Sequence, residues 1–400
     1  MMAKESALER LVGDTSEFES TLPTRPLLFT RPESPIKDIV SFAVLDHLIA
    51  SMPLKPPFLE IFKDNERIDY KYYQYGRDAN DVLMADWINP VAAAEFLEQG
   101  ATFIFALLDR TIPGVATFCR SLSTALGLPI SADAFLTPKY SQSLDRHYDR
   151  VSSFIVQVEG EKYWELWSPT APGPLSDYHP WMPTELEDSE HDRLFSNEPT
   201  LKYKLTPGSV LWLPRGWVHN VHTEEEPSLH LTFGIPDITG HTVARVVLDM
   251  LADVPELRED LPLHFWERPS TMQETLARSV ETMIDAIHTL DRAQLAGLVA
   301  NKMLTQMLPA DLRTVSAGVG RLPQATKAEL LTDQIVHLES ADDELTLHLG
   351  NRDVTVSGAG KEAVEHALDS GTNVIDATQN PDLIELIDAL WHQGVARVIT

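Results

Sequence analysis

The 400-residue sequence has a single cysteine, Cys119. That excludes a disulfide framework within the chain and any cysteine-based zinc site. Basic residues are scarce. The chain has 32 Lys and Arg against 60 Asp and Glu, for a formal net charge of −28 at pH 7. Binding to nucleic acid phosphates needs clustered Lys and Arg, so no direct nucleic-acid partner is expected. Long hydrophobic runs are missing too. None approaches the roughly 18 residues that span a bilayer, and the first residues, Met1 to Asp14, lack the apolar core of a secretory leader. The reading is an acidic cytoplasmic protein with no membrane partner. Hydrophobic residues make up 43% and charged residues 23%, which suits a folded chain and excludes wholesale disorder. The length allows two or three domains.

Residues 1 to about 25 are polar and mixed, and are expected to form a mobile or loosely docked arm. A proline-punctuated stretch follows from Pro23 to Pro57, with one helical piece near Ile39 to Met52. With the remainder up to residue 95 it makes an N-terminal support. From about 96 to 240 the texture is short β-like runs. Ala101–Leu108, Ala134–Leu136, Val151–Glu159, Lys162–Trp167, Val210–Leu213, Val218–His222 and Leu229–Phe233 read as strands, and Gly114–Gly127 reads as a helix. Turn signals at Gly160, Pro207-Gly208 and Pro214-Arg215-Gly216 separate them, which predicts a mainly β antiparallel barrel or double-sheet jelly roll. Residues 168 to 200, rich in Pro, Asp and Glu, read as a long insertion.

Past Gly240 the pattern turns helical. Met272, Leu276, Val280, Met283, Ile287 and Leu290 recur at spacings of 4, 4, 3, 4 and 3, one apolar helix face, with Ser270 and Gln273 offering a capping box. A seam this regular buries against the barrel or a second subunit. The span 241–318 is therefore read as a helical region. From 319 to 400 the order reads helix, helix, hairpin, helix, with the hairpin at Glu344–Leu349 and Asp353–Ser357 and the last helix at Pro381 to His392. The order suits a small winged-helix unit. Its 5 basic against 14 acidic residues favour docking or dimerisation over DNA binding.

The chemistry concentrates at His147-Tyr148-Asp149. On a strand, residues i and i+2 share a face, so this His-x-Asp aims an imidazole and a carboxylate into one space. A third ligand must come from another strand, and His219, 72 residues later, supplies one. Two His and one carboxylate on one face is the facial triad of non-haem Fe(II) oxygenases. Alone, a His-x-Asp pair is common by chance and fits a turn as well as a metal. Lys162 adds weight. Beyond the turn at Gly160 it falls in phase with Trp164 and Leu166. A lysine on an apolar face is costly unless it meets an anion, although a snorkelling lysine at a strand start is the plain alternative.

These segments carry a family resemblance. Ala134-Phe-Leu-Thr-Pro138, His147-Tyr-Asp149, Gln157-Val-Glu-Gly-Glu-Lys162-Tyr-Trp, Pro207 through His219 and Ser228-Leu-His-Leu-Thr232 resemble the ribosomal-oxygenase branch of the JmjC (cupin-like) hydroxylases. The fifteen residues from His147 to Lys162 fit that family, and the likeness is strongest over residues 130–235. It implies a double-stranded β-helix (jelly-roll) followed by a helical dimerisation region and a C-terminal winged-helix domain, in a homodimer. It also implies Fe(II)- and 2-oxoglutarate-dependent hydroxylation, with O2, of an Arg or His side chain in a ribosomal protein. Carried over, His147, Asp149 and His219 bind iron and Lys162 pairs with the distal carboxylate of 2-oxoglutarate. Asp133 stands where the family often has an Asn that helps bind 2-oxoglutarate. An ionised carboxylate there repels the cosubstrate unless it is protonated, turned away or paired with a cation. Phe135 replaces a Tyr common near the substrate.

Thr232 is a candidate hydroxyl donor to a carboxylate, against an ordinary β-branched strand residue. His230 reads as a pocket residue, and His222 is an alternative third ligand in a different register. His179 and His191, in the insertion, read as solvated. Tyr163, Trp164 and Trp167 read as core or cover, and Arg215 as structural. Three functions are carried forward: an oxygenase of a protein side chain, the same chemistry on a precursor peptide or small molecule, and a non-catalytic cupin binding module. The acidic surface suits a basic protein partner.

Overall fold

A computed structural model describes residues 5–75, 87–170, 172–178, 198–304, 326–332, 335, 337–349 and 352–399. The chain divides into two compact units, one built from residues up to 237 and from 307 on, the other from 238–306.

Residues up to 237 are built on two antiparallel sheets. Their strands in chain order are β1 (Leu27–Thr30), β2 (Glu60–Lys63), β3 (Glu66–Arg67), β4 (Thr102–Phe105), β5 (Ser131–Thr137), β6 (His147–Tyr148), β7 (Ser152–Gly160), β8 (Lys162–Trp167), β9 (Leu201–Leu205), β10 (Ser209–Leu213), β11 (Val218–His222) and β12 (Ser228–Ile235). Eight strands pair in the order β1-β10-β7-β12-β5-β4-β2-β3, and four in the order β6-β11-β8-β9. This is the expected jelly roll. β7 and β10 are apolar on both faces and almost wholly buried because they lie inside the larger sheet, covered from both sides. On one face Phe154, Val156, Val210, Trp212, Leu231 and Phe233 join the main core. On the other, Ile155, Leu211 and Leu213 meet Trp164, Leu166 and Leu205 of the smaller sheet. The two inner faces so brought together frame the site.

Local sequence explains the boundaries. The helix Pro113–Leu126 starts on a proline, whose fixed φ suits a first turn, and stops at Gly127 in the left-handed region. The turn joining β7 and β8 pivots on Gly160, at φ +65°. A Cβ there would sit 1.7 Å from the carbonyl oxygen of Pro227, so only glycine fits.

Three expectations are corrected. The N-terminal residues are not a loosely docked arm. Ser6 and Glu9 form a capping box that starts the helix Ala7–Val12, which buries Ala7, Leu8, Leu11 and Val12 in the main core. Strands β1, β2, β3 and β9 escaped the sequence reading. β1 sits among prolines, where local signals speak for loop, and it forms only by pairing with β10. Ser270 and Gln273 do not cap their helix. It runs Pro269–Thr289 and starts one residue earlier, on a proline with no side-chain cap.

The second unit is helical, with helices Gly240–Leu251, Pro269–Thr289 and Arg292–Leu304. Along the long helix Leu276, Val280, Ile284 and Ile287 are about half exposed. In the C-terminal part the expected hairpin is present, Glu344–His348 pairing with Asp353–Ser357. Its turn at Gly350 and Asn351 lies outside the described residues. It contains more strand than a helix, helix, hairpin, helix order. His337–Ala341 adds a third strand to the hairpin, and Lys327–Leu330 is the centre of a second three-stranded sheet. The helices Ala359–Asp369 and Leu383–His392 both follow the hairpin. Lys-Ala-Glu-Leu has good helix propensity, but pairing on both edges overrides it.

Candidate metal centre

His147 and His219 are register partners on β6 and β11, so their rings meet across the smaller sheet, with centroids 4.3 Å apart. Asp149 follows just past β6. Its carbonyl accepts a hydrogen bond from the Gly216 N–H, which ties this end to the Pro214–Gly216 turn. One donor atom from each of His147, Asp149 and His219 lies within 4.8 Å of the others, the one such group among the described residues. His147 Nδ1 faces the Asp145 carbonyl at 2.7 Å, and His219 Nδ1 faces the Trp217 carbonyl at 3.1 Å. An Nδ1–H donated to each carbonyl leaves Nε2 with its lone pair free, the tautomer a metal needs. His219 Nε2 lies 3.7 Å from Asp149 Oδ2. Burial, followed by the nearby His219, pushes the His147 imidazole well below its usual range, so it stays neutral and ready to ligate. Trp164 lies against His219 with ring centroids 5.6 Å apart.

Lys162 opens β8 and is 2% exposed. Lys162, Trp164 and Leu166 are the buried alternation of that strand, as the phase predicted. Its ammonium donates to Thr137 Oγ1 at 2.6 Å, and among the described residues no carboxylate pairs with it. Burial alone pushes it down to about 7. A buried cation without a counter-charge is costly, so the arrangement suits an anionic ligand. Thr137 was not singled out in the sequence. The signal was there, since it lies two residues beyond Phe135 on the same strand face.

The wall between these two points comes from β5 and β12. Phe135 and His230 are register partners and stack at 4.9 Å with an interplanar angle of 4°. His230 is 3% exposed, and its Nδ1 has no hydrogen-bond partner. Burial, followed by Lys162 and His219, pushes its imidazole well down, so it is neutral. Thr232 lies opposite Asp133. Asp133 Oδ1 accepts the Leu107 N–H at 2.8 Å. Burial, opposed by that hydrogen bond and reinforced by Asp109, Asp149 and Glu60, pushes its carboxyl up to about 6.

His222 does not join the triad. It stacks on Tyr163 at 5.4 Å on the far side of its strand, where Lys204 also meets Tyr163. Trp164 belongs to the core between the sheets, and Trp167 lies under the Arg146 guanidinium at 4.0 Å. Arg215 reaches the Pro174 carbonyl and lies 3.9 Å from Asp237. His179 and His191 lie outside the described residues.

Comparison with known proteins agrees with this geometry. The family model of the JmjC domain matches residues 110–243, a span that takes in the helix Pro113–Leu126 and strands β5 to β12. Curated relatives include the bifunctional lysine-specific demethylase and histidyl-hydroxylase NO66 of Drosophila willistoni. It is 25% identical over 357 residues, covering 84% of this chain and 40% of that protein. Ribosomal oxygenase 2 of Mus musculus is 28% identical over 246 residues, covering 56% of this chain and 50% of that protein. The chain thus spans half or less of the length of these relatives. Among solved structures, Escherichia coli YcfD matches with a TM-score of 0.55 at 13% identity, over 96% of this chain and 98% of that one. A second YcfD structure, described as a ribosomal oxygenase in complex with cobalt and 2-oxoglutarate, matches with a TM-score of 0.53 at 13% identity, over 97% and 98%. At that identity the likeness speaks for the fold. It extends over nearly the whole chain.

Proposed function

We propose that this protein is an Fe(II)- and 2-oxoglutarate-dependent dioxygenase that hydroxylates a side chain of a protein or peptide, an Arg or His of a ribosomal protein. The observation that carries the reading is the convergence of His147, Asp149 and His219 on one point inside the roll that also holds the buried, acid-free Lys162. The donor set fits Fe(II), since two imidazoles and a carboxylate leave positions open. When bound, the iron and cosubstrate supply the oxidising chemistry, in which 2-oxoglutarate and O2 give succinate, carbon dioxide and one hydroxylated carbon. The chain's own residues do the rest. His147, Asp149 and His219 hold the metal, with Asp145 and Trp217 carbonyls fixing both rings. Lys162, steadied by Thr137, receives the distal carboxylate of the cosubstrate, with Thr232 on the adjoining wall. Trp164, Phe135 and His230 line the space between and exclude water.

The rest of the molecule is read in keeping with this. The helical unit is a dimerisation region, supported by its exposed apolar stripe. The C-terminal part is a winged-helix-like docking module rather than a nucleic-acid reader, on its acidic charge. The protein acts in the cytoplasm, and its net charge of −28 complements a basic partner. The test is a search for +16 mass shifts in ribosomal proteins incubated with Fe(II), 2-oxoglutarate and either the protein or its Asp149→Ala variant. A shift that depends on Asp149 is expected. Succinate formed without any modified protein would move the substrate to a small molecule or precursor peptide. No metal bound and no 2-oxoglutarate consumed would leave a non-catalytic module.

A further inference from the structure

β6 carries His147 but is only two residues long. It lies at the edge of its sheet, with β11 as its one strand partner among the described residues. Two ladder positions are little to hold a ligand strand in place. The ring of His147 is set by the Asp145 carbonyl, which accepts its Nδ1–H at 2.7 Å. Whatever holds Asp145 therefore helps decide where that ring points.

Asp145 is held from 80 residues away. β2 and β3 are joined by Asp64 and Asn65, with φ of +52° and +68°, a two-residue hairpin turn that favours Asn or Gly. From this tip Asn65 makes three hydrogen bonds to the segment before β6. Its backbone N–H donates to the Ser143 carbonyl at 2.9 Å. Its side-chain amide donates to Asp145 Oδ2 at 2.6 Å, and its amide oxygen accepts the Asp145 N–H. The last two make a closed fork, which needs a donor and an acceptor on one side chain. The turn itself would be served as well by glycine, so the fork is what the asparagine adds. Asp145 Oδ1 accepts from the Gln142 amide at 3.2 Å, and that amide also donates to Asn220 Oδ1 at 2.8 Å. Asn220 follows His219 on β11. The network thus touches the segments that carry both histidines of the triad.

We propose that Asn65, at the tip of the β2–β3 hairpin, is a positioning residue for the metal centre. It acts through Asp145, whose carbonyl it fixes against the His147 ring. This rests on the metal-centre reading and deepens it, because it gives the short ligand strand a support from outside its own sheet. Partners of this kind, one step removed from the ligands, orient the rings that bind a metal.

The test measures metal binding rather than turnover. Co(II) affinity of the full chain is read by competition with a chromophoric chelator, together with the visible d–d spectrum of the bound ion. Asn65→Gly keeps the turn and deletes the fork. It is expected to weaken Co(II) binding about tenfold or more and to shift the spectrum. A role in stability alone would leave the spectrum unmoved. Asn65→Asp sets two carboxylates against each other and should also weaken binding about tenfold or more. Adding Asp145→Asn to it exchanges donor and acceptor across the fork, and is expected to restore affinity to within about threefold of wild type. An affinity or a spectrum equal to wild type in Asn65→Gly overturns the proposal, and so does a loss in Asn65→Asp that Asp145→Asn does not recover. Failure of the metal-centre reading shows separately and takes the proposal with it: the wild-type protein then binds no Co(II), or binds it no better than Asp149→Ala does.

Discussion

A buried lysine and a partly buried aspartate carry opposite charges at the site, and each has a measurable consequence. Lys162 has its ammonium pushed down to about 7 by burial. A lysine whose folded value is depressed costs stability as pH falls from the unfolded value toward the folded one, and the cost persists below it. Lys162→Met is therefore expected to stabilise the cosubstrate-free protein at pH 7.5 by about 1–4 kcal/mol in urea unfolding. The same change removes the partner of the distal carboxylate, so 2-oxoglutarate affinity should fall about a hundredfold. Unchanged affinity would remove Lys162 from the cosubstrate site. Asp133 works the other way in pH. Its carboxyl is raised to about 6 from 3.8, so the folded state holds a proton that the unfolded state has lost between those values. Stability falls as pH rises through that window, by up to about 3 kcal/mol, and stays lower above pH 6. In the metal-free protein, Asp133→Asn should be more stable than wild type at pH 7.5, with the difference shrinking as pH falls to 5. A difference constant over that range would show that the Asp133 carboxyl titrates as in the unfolded chain.

At the level of elements, the site depends on turns that set strand register. Lys162 lies two residues beyond Gly160, and Gly160 holds a positive φ against the Pro227 carbonyl. Gly160→Ala is expected to destabilise the fold by about 2 kcal/mol or more, because both the conformation and the space reject a side chain. Since β7 and β8 are joined there, 2-oxoglutarate affinity should fall with it. A melting temperature and cosubstrate affinity equal to wild type would show that the turn relaxes without moving Lys162. Elements also mark where sequence patterns were readable. Lys162–Trp167 and Val218–His222 stand as read, because alternation and flanking turn residues are local signals. β1 was not readable, since a strand among prolines exists only through its pairing with β10. The strand Lys327–Leu330 went unread for a similar reason, its sheet partners lying far along the chain.

For the whole molecule, the exposed stripe of Leu276, Val280, Ile284 and Ile287 is the largest-scale expectation open to test. A helix face with that much apolar surface calls for a cover. Light scattering is expected to report about twice the 44.7 kDa of one chain. Val280→Asp combined with Ile284→Asp should return the mass to that of a single chain. A wild-type protein that runs as one chain would sink the dimer. Among the described residues no helix is long and apolar enough to cross a membrane.

The sequence by itself determined the chemistry on offer. His147-x-Asp149 on a strand, Lys162 in phase with Trp164, and one cysteine among many carboxylates are local or compositional facts that need no fold. It also narrowed the fold to an antiparallel barrel or a double-sheet jelly roll, because short alternating runs between turn residues leave few other architectures. The tertiary structure decided which histidine completes the triad. His219 and His222 sit on one strand three residues apart, and only the register of β11 against β6 brings His219 to His147. It likewise decided that Thr137 steadies Lys162, that the N-terminal helix is core, and that Asp133 turns to Leu107. Each is a contact between residues distant in sequence. Such contacts form because burying two faces together outweighs the chain entropy lost in closing long loops, a balance that no local pattern records.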